Sequence, residues 1–573
     1  MTRSDRHQGF ELAVGTLSPT KLLSKGAHYR QCRVIIQVMT AADTNRRKFL
    51  RSLFGGSSRA SNLAAGVAGL VSAAVAIGVA EFVAGLDRSF RSPVLDVGDR
   101  VVDSAPPALK DFAISWFGTG DKAALLIGIG VLLAIFGIAV GVVAFRISLP
   151  VGVAGIALFG VLGVAAAAQG GRGLDAGIPS IVGTVAAIAT LVGLYLFSVR
   201  SDPQDVPEGF GAATPDAFGR RTLLIGMGAA AGLAIAGGVG GRLLSRRFAV
   251  PMEQRIGALP QLDSPLPPLP QTADLGVQGL SPFVTPNDTF YKVDTALTVP
   301  QITEEEFSLR VWGMVDRELT LSYQDLIDRP QIEADITLAC VSNSVGGSLV
   351  GNARWQGVRL DDLLAEVGVQ AGADQVVGRS VDGYTCGFPV AAATDGRDAM
   401  IAIGMNGVRL PLDHGFPARL LVPGLYGYVS ATKWLTEIEL TTFDAFNHYW
   451  EDRGWDEKAP IKTQSRIDTP SKEERLVVGP GVIAGVAWAP LRGIDMVEVQ
   501  VDDGPWLSAE LSAEVADTTW RQFHIPWEVT EGLHVLRCRA TDGDGVLQPK
   551  DLKGARPNGA EGWHRVRAFG VEA

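Results

Sequence analysis

The sequence predicts a chain of two unlike parts: an all-α membrane bundle of about five helices, then a globular part that closes in a β-sandwich. Three observations predict this. Residues 62 to about 245 are rich in Ala, Gly, Val and Leu and hold one of the 11 tryptophans, Trp116, while the other ten lie beyond residue 300. A proline-rich stretch, 251–282, divides the two parts. The last stretch, 462–573, carries short apolar-alternating runs at regular spacing, cut by turns such as Asp502-Asp503-Gly504 and Asp542-Gly543.

Length and charge bound the rest. At 573 residues more than one domain is expected. A net charge of −10 argues against nucleic acid as a partner. Four cysteines, Cys32, Cys340, Cys386 and Cys538, make no disulfide framework and do not assign a compartment.

In chain order, residues 1–61 read as a cytoplasmic amino-terminal segment. Within it Met39 opens MTAADTNRRKFLRSLFGG, and the expectation is that residues 1–38 are an upstream extension. Five apolar stretches follow, near 62–85, 123–145, 149–168, 178–198 and 222–243. Each reaches the ~20 helical residues that a bilayer requires. Charges inside them are scarce, Glu81 being the main exception, and their Gly and Ala content suits close helix packing in lipid. Counting Lys and Arg near the two faces gives nine on each side, so the positive-inside rule leaves orientation open. Arg46-Arg47 and Arg220-Arg221, each before an apolar stretch, resemble the twin-arginine export signal. No histidine lies between His28 and His414, so no haem b held by histidine pairs is expected in the bundle, and no CxxCH occurs.

Residues 246–282, with LDSPLPPLP, read as a semi-rigid spacer at ~3.1 Å per residue. The globular part opens at Phe283 with VTPNDTFYKVDTAL, a turn and then an extended run. DITLACVSNSVGG, from Asp335, alternates as a strand and ends in turn residues. This leaves Cys340 at the lip of a glycine-bearing loop. Such a thiol is either a small core residue or a soft ligand for a transition metal. GRSVDGYTCGFP (378–389) reads as strand-turn-strand; its Cys386 is either a core residue or a disulfide partner for Cys340. The stretch 402–440 holds HGFPARLLVPGLYGYVSATK. Its Arg419 offers a planar charged fork for phosphate, and the loop Gly424, Gly427, Ser430, Thr432, Lys433 offers amides, hydroxyls and a cation for an anion.

LACVSNSVGG with NARWQGVRLDDLL, Asn287-x-x-Phe290-Tyr291 and HGFPARLLVPG together resemble the sulfite oxidase family of molybdenum enzymes. The resemblance covers roughly 280–573. It implies an α+β molybdopterin domain over 283–461 and an immunoglobulin-like sandwich over 462–573 that serves dimerisation. It implies Cys340 as the molybdenum ligand and Tyr384 as an active-site residue. It also implies Asn287, Phe290, Tyr291, Ser380, Asp382, His414, Arg419, Ser430, Thr432 and Lys433 as molybdopterin contacts. Arg466, in IKTQSRIDTP, sits at the junction within reach of that site. The implied reaction is oxygen-atom transfer on a small or sulfur-containing substrate, with electrons passed to a quinone-linked membrane protein or a soluble carrier. The arginines of sulfite-oxidising members are replaced here by Lys292-Val293-Asp294 and Ser344, so a divalent anion lacks its fork and a neutral sulfoxide is open. Loading with such a cofactor before export, together with the paired arginines, places the globular part outside the cytoplasmic membrane. The competing expectation is a membrane receptor with a degenerate cofactor fold and no enzyme activity.

Overall fold

The computed structural model describes residues 62–106, 116, 121–168, 173–199 and 215–572. The segment 1–61, with Met39 and Arg46-Arg47, lies outside the described residues, and Arg220-Arg221 fall within a helix. The chain divides into two units, Met1–Val97 with Ala123–Leu244, and Gly98–Lys122 with Ser245–Ala573.

The first unit is helical. Its helices are α1 (Asn62–Ala84), α2 (Pro93–Ser104, which runs on into the second unit), α3 (Asp121–Arg146), α4 (Leu149–Ala167), α5 (Ile178–Val199) and α6 (Pro215–Ser245). All but α2 are long and apolar enough to cross a membrane, by length and composition. Their outward faces carry Ile127, Leu132, Leu158 and Val185, the reverse of a water-soluble helix and the pattern of a membrane anchor. Inside, Ala65, Ala68, Val140, Ala144, Leu191 and Tyr195 form a common core. Small residues let the backbones of α1 and α3 touch: a Cβ on Gly69 would lie 2.0 Å from the Gly137 carbonyl oxygen.

The second unit is mainly β. Its first eleven strands are β1 (Ser308–Gly313), β2 (Leu319–Ser322), β3 (Ile332–Ala339), β4 (Val350–Arg359), β5 (Gln375–Ser380), β6 (Thr385–Pro389), β7 (Met400–Met405), β8 (Val408–Arg409), β9 (Arg419–Leu421), β10 (Ala431–Thr432) and β11 (Leu435–Thr441). Between them lie four short helices, α7 (Tyr323–Ile327), α8 (Leu360–Val367), α9 (Val390–Thr394) and α10 (Gly427–Ser430). The strands form two sheets, ordered β2-β1-β11-β5-β6 and β10-β9-β7-β4-β3, with β8 on β7. β7 is buried along its whole length, which explains its unbroken apolar run, while β3 alternates apolar residues with Glu333, Asp335 and Thr337 although most of it is buried.

Nine further strands close the chain: β12 (Gln464–Thr469), β13 (Glu474–Val477), β14 (Gly479–Trp488), β15 (Ile494–Val501), β16 (Trp506–Ser508), β17 (Glu510–Leu511), β18 (Arg521–Val529), β19 (Gly532–Asp542) and β20 (His564–Val571). They make two sheets, β12-β14-β18-β17 and β13-β20-β19-β15-β16. Ile483 and Phe523 from one and Val497, Leu536 and Val566 from the other share a core, so the region is a sandwich.

Residues 246–282 do not stand free as a spacer. The Pro260 carbonyl accepts from Gln356 Nε2 at 2.8 Å, Leu266 N–H donates to Glu333 at 3.1 Å and Leu275 N–H donates to Gln522 at 2.6 Å. Ala273 is fully buried. An extended proline-rich backbone has no internal hydrogen bonds, so its groups pair with the surface beside it.

Candidate functional site

β3 ends at Ala339, Cys340 follows directly, and the chain turns back into β4. Cys340 N–H bonds the Leu349 carbonyl at 2.9 Å, Asn343 N–H bonds the Cys340 carbonyl at 3.0 Å, and Asn343 Oδ1 takes Leu349 N–H at 2.9 Å. Gly346 sits at φ +75°, and a Cβ there would collide with the His564 ring. The loop is therefore held from inside and from the sandwich. The Cys340 thiol lies 2.9 Å from Ser342 Oγ at the wall of a cavity of about 980 Å³. Burial pushes the thiol pKa up, against the pull of Ser342.

Tyr291, Ser380, Asp382, Tyr384, Arg419 and Lys433 line the same cavity. Arg419 opens β9. Its guanidinium lies 5.1 Å over the Trp355 ring and makes one long bond, to the His414 carbonyl at 3.4 Å. Its Nε has no partner, and among the described residues no carboxylate pairs with it. Burial lowers its pKa to about 10. His414, fully buried, donates from Nε2 to the Asn287 carbonyl at 2.7 Å, which leaves Nδ1 as an acceptor with no donor. Burial drives its pKa down to about 4, so the ring is neutral at pH 7. An anionic group brought to Nδ1 would raise that pKa and turn the nitrogen into a donor.

Lys433 Nζ donates to Asp294 at 2.8 Å and to the Asp413 carbonyl at 2.9 Å. The other Asp294 oxygen accepts from Lys122 Nζ at 2.7 Å. Burial would raise the Asp294 pKa, but Lys433 and Lys122 outweigh it and hold the carboxyl ionised. Tyr384 O–H donates to the Tyr428 carbonyl at 2.7 Å, while burial raises its pKa far out of reach of titration. Asp382 accepts from Tyr384 N–H at 3.1 Å.

Four expected contacts point elsewhere. Ser430 Oγ donates back to the Leu425 and Tyr426 carbonyls, because Ser430 ends the short helix α10 and its hydroxyl meets the preceding turn. Thr432 Oγ1 donates to the Cys386 thiol at 3.0 Å. Asn287 bonds Met405 and Asn406, and its carbonyl fixes His414. Phe290 is core, edge-on to both Trp355 and His414. These residues support the site rather than line it. Arg466 likewise does not reach the cavity: it pairs with Asp468 at 2.6 Å and bonds the Gly347 carbonyl at 2.7 Å, which braces the cysteine loop. Cys340 and Cys386 are both free thiols, so the disulfide alternative falls.

Sequence reasoning missed Asp103, Asp294, Trp450, Arg453, Trp455 and Arg556, all of which line the cavity. Only Asp294 had a signal, as the residue standing where an arginine was expected.

Residues 296–450 match the family model described as an oxidoreductase molybdopterin binding domain. The mitochondrial sulfite oxidase of Homo sapiens is 30% identical over 341 residues, covering 50% of this chain and 62% of that protein. The sulfite oxidase of Arabidopsis thaliana is 27% identical, covering 50% of this chain and 88% of its own length. The uncharacterized oxidoreductase YuiH of Bacillus subtilis (strain 168) is 34% identical over 152 residues, covering 26% of this chain and 72% of that protein. The chain thus spans less than two thirds of the mammalian relatives it matches.

Proposed function

Because this chain belongs to the sulfite oxidase family of molybdopterin oxidoreductases, we propose that it is a membrane-anchored enzyme that transfers an oxygen atom to or from a sulfur compound. The single observation that carries this reading is the cavity that joins the Cys340 thiol to the unpaired Arg419 guanidinium. The residues fit molybdopterin. Arg419 Nε and His414 Nδ1 are buried polar atoms without partners, which a phosphate-bearing ligand would satisfy. Cys340 would be the metal ligand. Arg419, Lys433 and His414 would hold the phosphate end, with Tyr291, Ser380 and Asp382 beside the ring system. Bound there, the cofactor supplies two-electron redox chemistry at molybdenum.

The protein's own groups do the rest. Burial favours the neutral Cys340 thiol, and as a metal ligand it would be held as the thiolate by the charge of the metal. Asp294 takes up part of the positive charge of Lys433 and Lys122, and among the described residues no carboxylate pairs directly with Arg419. Tyr384 stays protonated, and its O–H is committed to the Tyr428 carbonyl. In the oxidising direction, a sulfur lone pair gains an oxygen from water and releases two protons and two electrons. The reducing direction is the reverse. No arginine fork for a divalent anion is present at Lys292, Val293 or Ser344, which favours an uncharged organic S-oxide over sulfite.

The helical unit anchors the enzyme in a cytoplasmic membrane, with the globular unit on the outer side after twin-arginine export. The sandwich is immunoglobulin-like and serves dimerisation. Electrons pass to a separate carrier, quinone-linked or soluble. The decisive experiment is metal analysis of the full chain made in a cofactor-competent host. About one molybdenum per chain is expected. Its absence would leave the receptor reading in place.

A further inference from the structure

Away from Arg419, the cavity has a wall of a different kind. Tyr384, Tyr449, Trp450, Trp455 and Tyr428 follow one another at ring separations of 5.7, 5.2, 6.2 and 5.9 Å, and the Tyr384 O–H to Tyr428 bond closes the circle. Two hydrogen-bond donors in this wall are buried and find no acceptor among the described residues: Arg453 Nε and Trp455 Nε1. A buried donor without a partner is costly, so this pair is suited to an acceptor that a ligand would supply.

Arg453 is held in place from three sides. Its plane lies 3.6 Å over the Tyr449 ring, its Nη1 donates to the Tyr449 carbonyl at 2.6 Å and its Nη2 lies 3.4 Å from Asp103. Asp103 also takes the Tyr449 hydroxyl at 2.8 Å. One carboxylate thus fixes both the arginine and the ring beneath it. Asp103 belongs to the stretch 98–122, which lies between the first two membrane-length helices in sequence and contributes to the globular unit. The far end of that stretch reaches the same cavity through Lys122 and Asp294.

The charge of this wall is informative. Arg453 and Arg556 stand against Asp103, Asp382 and Asp452. Two cations facing three carboxylates repel a dianion, whereas the aromatic circle offers an apolar body its contact.

We propose that Arg453 and the Trp455 N–H are the recognition pair for the oxygen of a neutral organic S-oxide, and that Asp103 is the positioning residue that aims Arg453. This rests on the reading of the cavity as a reaction site. It adds that a segment outside the matched domain selects the substrate.

The test uses the full chain in detergent, with molybdenum content measured on every sample. Methyl phenyl sulfoxide is the neutral probe and sulfite the dianionic one, both followed by calorimetric titration. Wild type is expected to bind the sulfoxide and not sulfite. Arg453→Lys and Trp455→Phe should each weaken sulfoxide binding about tenfold. Asp103→Asn should weaken it severalfold, and adding it to Arg453→Lys should change little more, because the carboxylate acts through the arginine. A wild-type circular dichroism spectrum and thermal melt in each variant separates loss of recognition from a general loss of fold. The wall needs no metal, so these differences are readable even in a molybdenum-free chain. Absence of molybdenum would sink the enzyme reading alone. Equal sulfoxide affinity in wild type and variants, or no sulfoxide binding by wild type, would overturn the recognition pair.

Discussion

At Cys340 two effects oppose each other. Burial favours the thiol, while the role assigned to it needs the thiolate. The proposed ligation would resolve the conflict, and a hydroxyl in its place would not, being harder and far less acidic. Cys340→Ser should therefore keep the circular dichroism of the wild type and lose all dye-linked turnover; full turnover in the serine variant would remove Cys340 from the metal. Arg419 poses the opposite problem, a buried cation that among the described residues has no carboxylate partner and makes one long bond, to the His414 carbonyl. Arg419→Ala should lower cofactor retention by an amount corresponding to about 2–5 kcal/mol, by analogy with truncating one side of a buried charge pair. Molybdenum and pterin assays of the purified variant check this, and wild-type content would contradict it. Cys340 and Arg419 could be singled out in the sequence because each sits in a short run that resembles a family motif, LACVSN and HGFPARLLVPG, and both line the cavity. The hydroxyl directions of Ser430 and Thr432 were not legible, because they depend on a four-residue helix and on a thiol 46 residues away, neither of which a run of letters shows.

Elements were easier to read than contacts between them. The five apolar helices follow from composition alone, since a lipid-facing helix needs only length and apolar side chains. How closely they approach is decided by single glycines. A Cβ on Gly141 would lie 2.2 Å from the Ala65 carbonyl, whereas one on Gly128, on the same helix α3, would meet nothing within 4 Å. Gly141→Val should push α1 and α3 apart and cost about 1–3 kcal/mol as overpacking. Gly128→Ala should be neutral or stabilise by up to about 1 kcal/mol, from helix propensity. Thermal aggregation in one detergent ranks the two; equal melting of both variants would mean that the close crossing of α1 and α3 does not hold the bundle together. The spacer was misjudged for a related reason. Proline content predicts an extended backbone but says nothing of whether a surface lies beside it, and here Glu333, Gln356 and Gln522 do.

Over the whole molecule, the site unites residues that the sequence keeps far apart: Lys122 and Asp294 are separated by 172 positions, Asp103 and Arg453 by 350. Contacts of that range leave no local pattern, which is why neither the Lys122 to Asp294 pair nor the Asp103 to Arg453 pair was readable. The same long-range packing buries three histidines, and their protonation sets how the globular unit responds to acid. Burial drives the pKa values of His414, His448 and His564 down to about 4 from 6.5. His448 and His564 each accept a backbone N–H at Nδ1, from Trp450 at 3.3 Å and Ile467 at 3.0 Å, which requires the neutral ring. Between pH 6.5 and 4 the unfolded chain therefore binds more protons than the folded one, and stability falls as pH falls through that window. Each ring accounts for up to ~3 kcal/mol, fully lost only near pH 4. His534 has the opposite sign: burial lowers its pKa, but Asp502 at 3.0 Å outweighs this and raises it, so its contribution is lost as pH rises. Thermal melts of the full chain from pH 7.5 to 4.5 should show a plateau above about 6.5 and a decline below it. In His448→Gln the decline should shallow by about one of the three protons. A melting temperature that stays flat from pH 6.5 to 4.5 would mean that these rings are already charged in the folded protein.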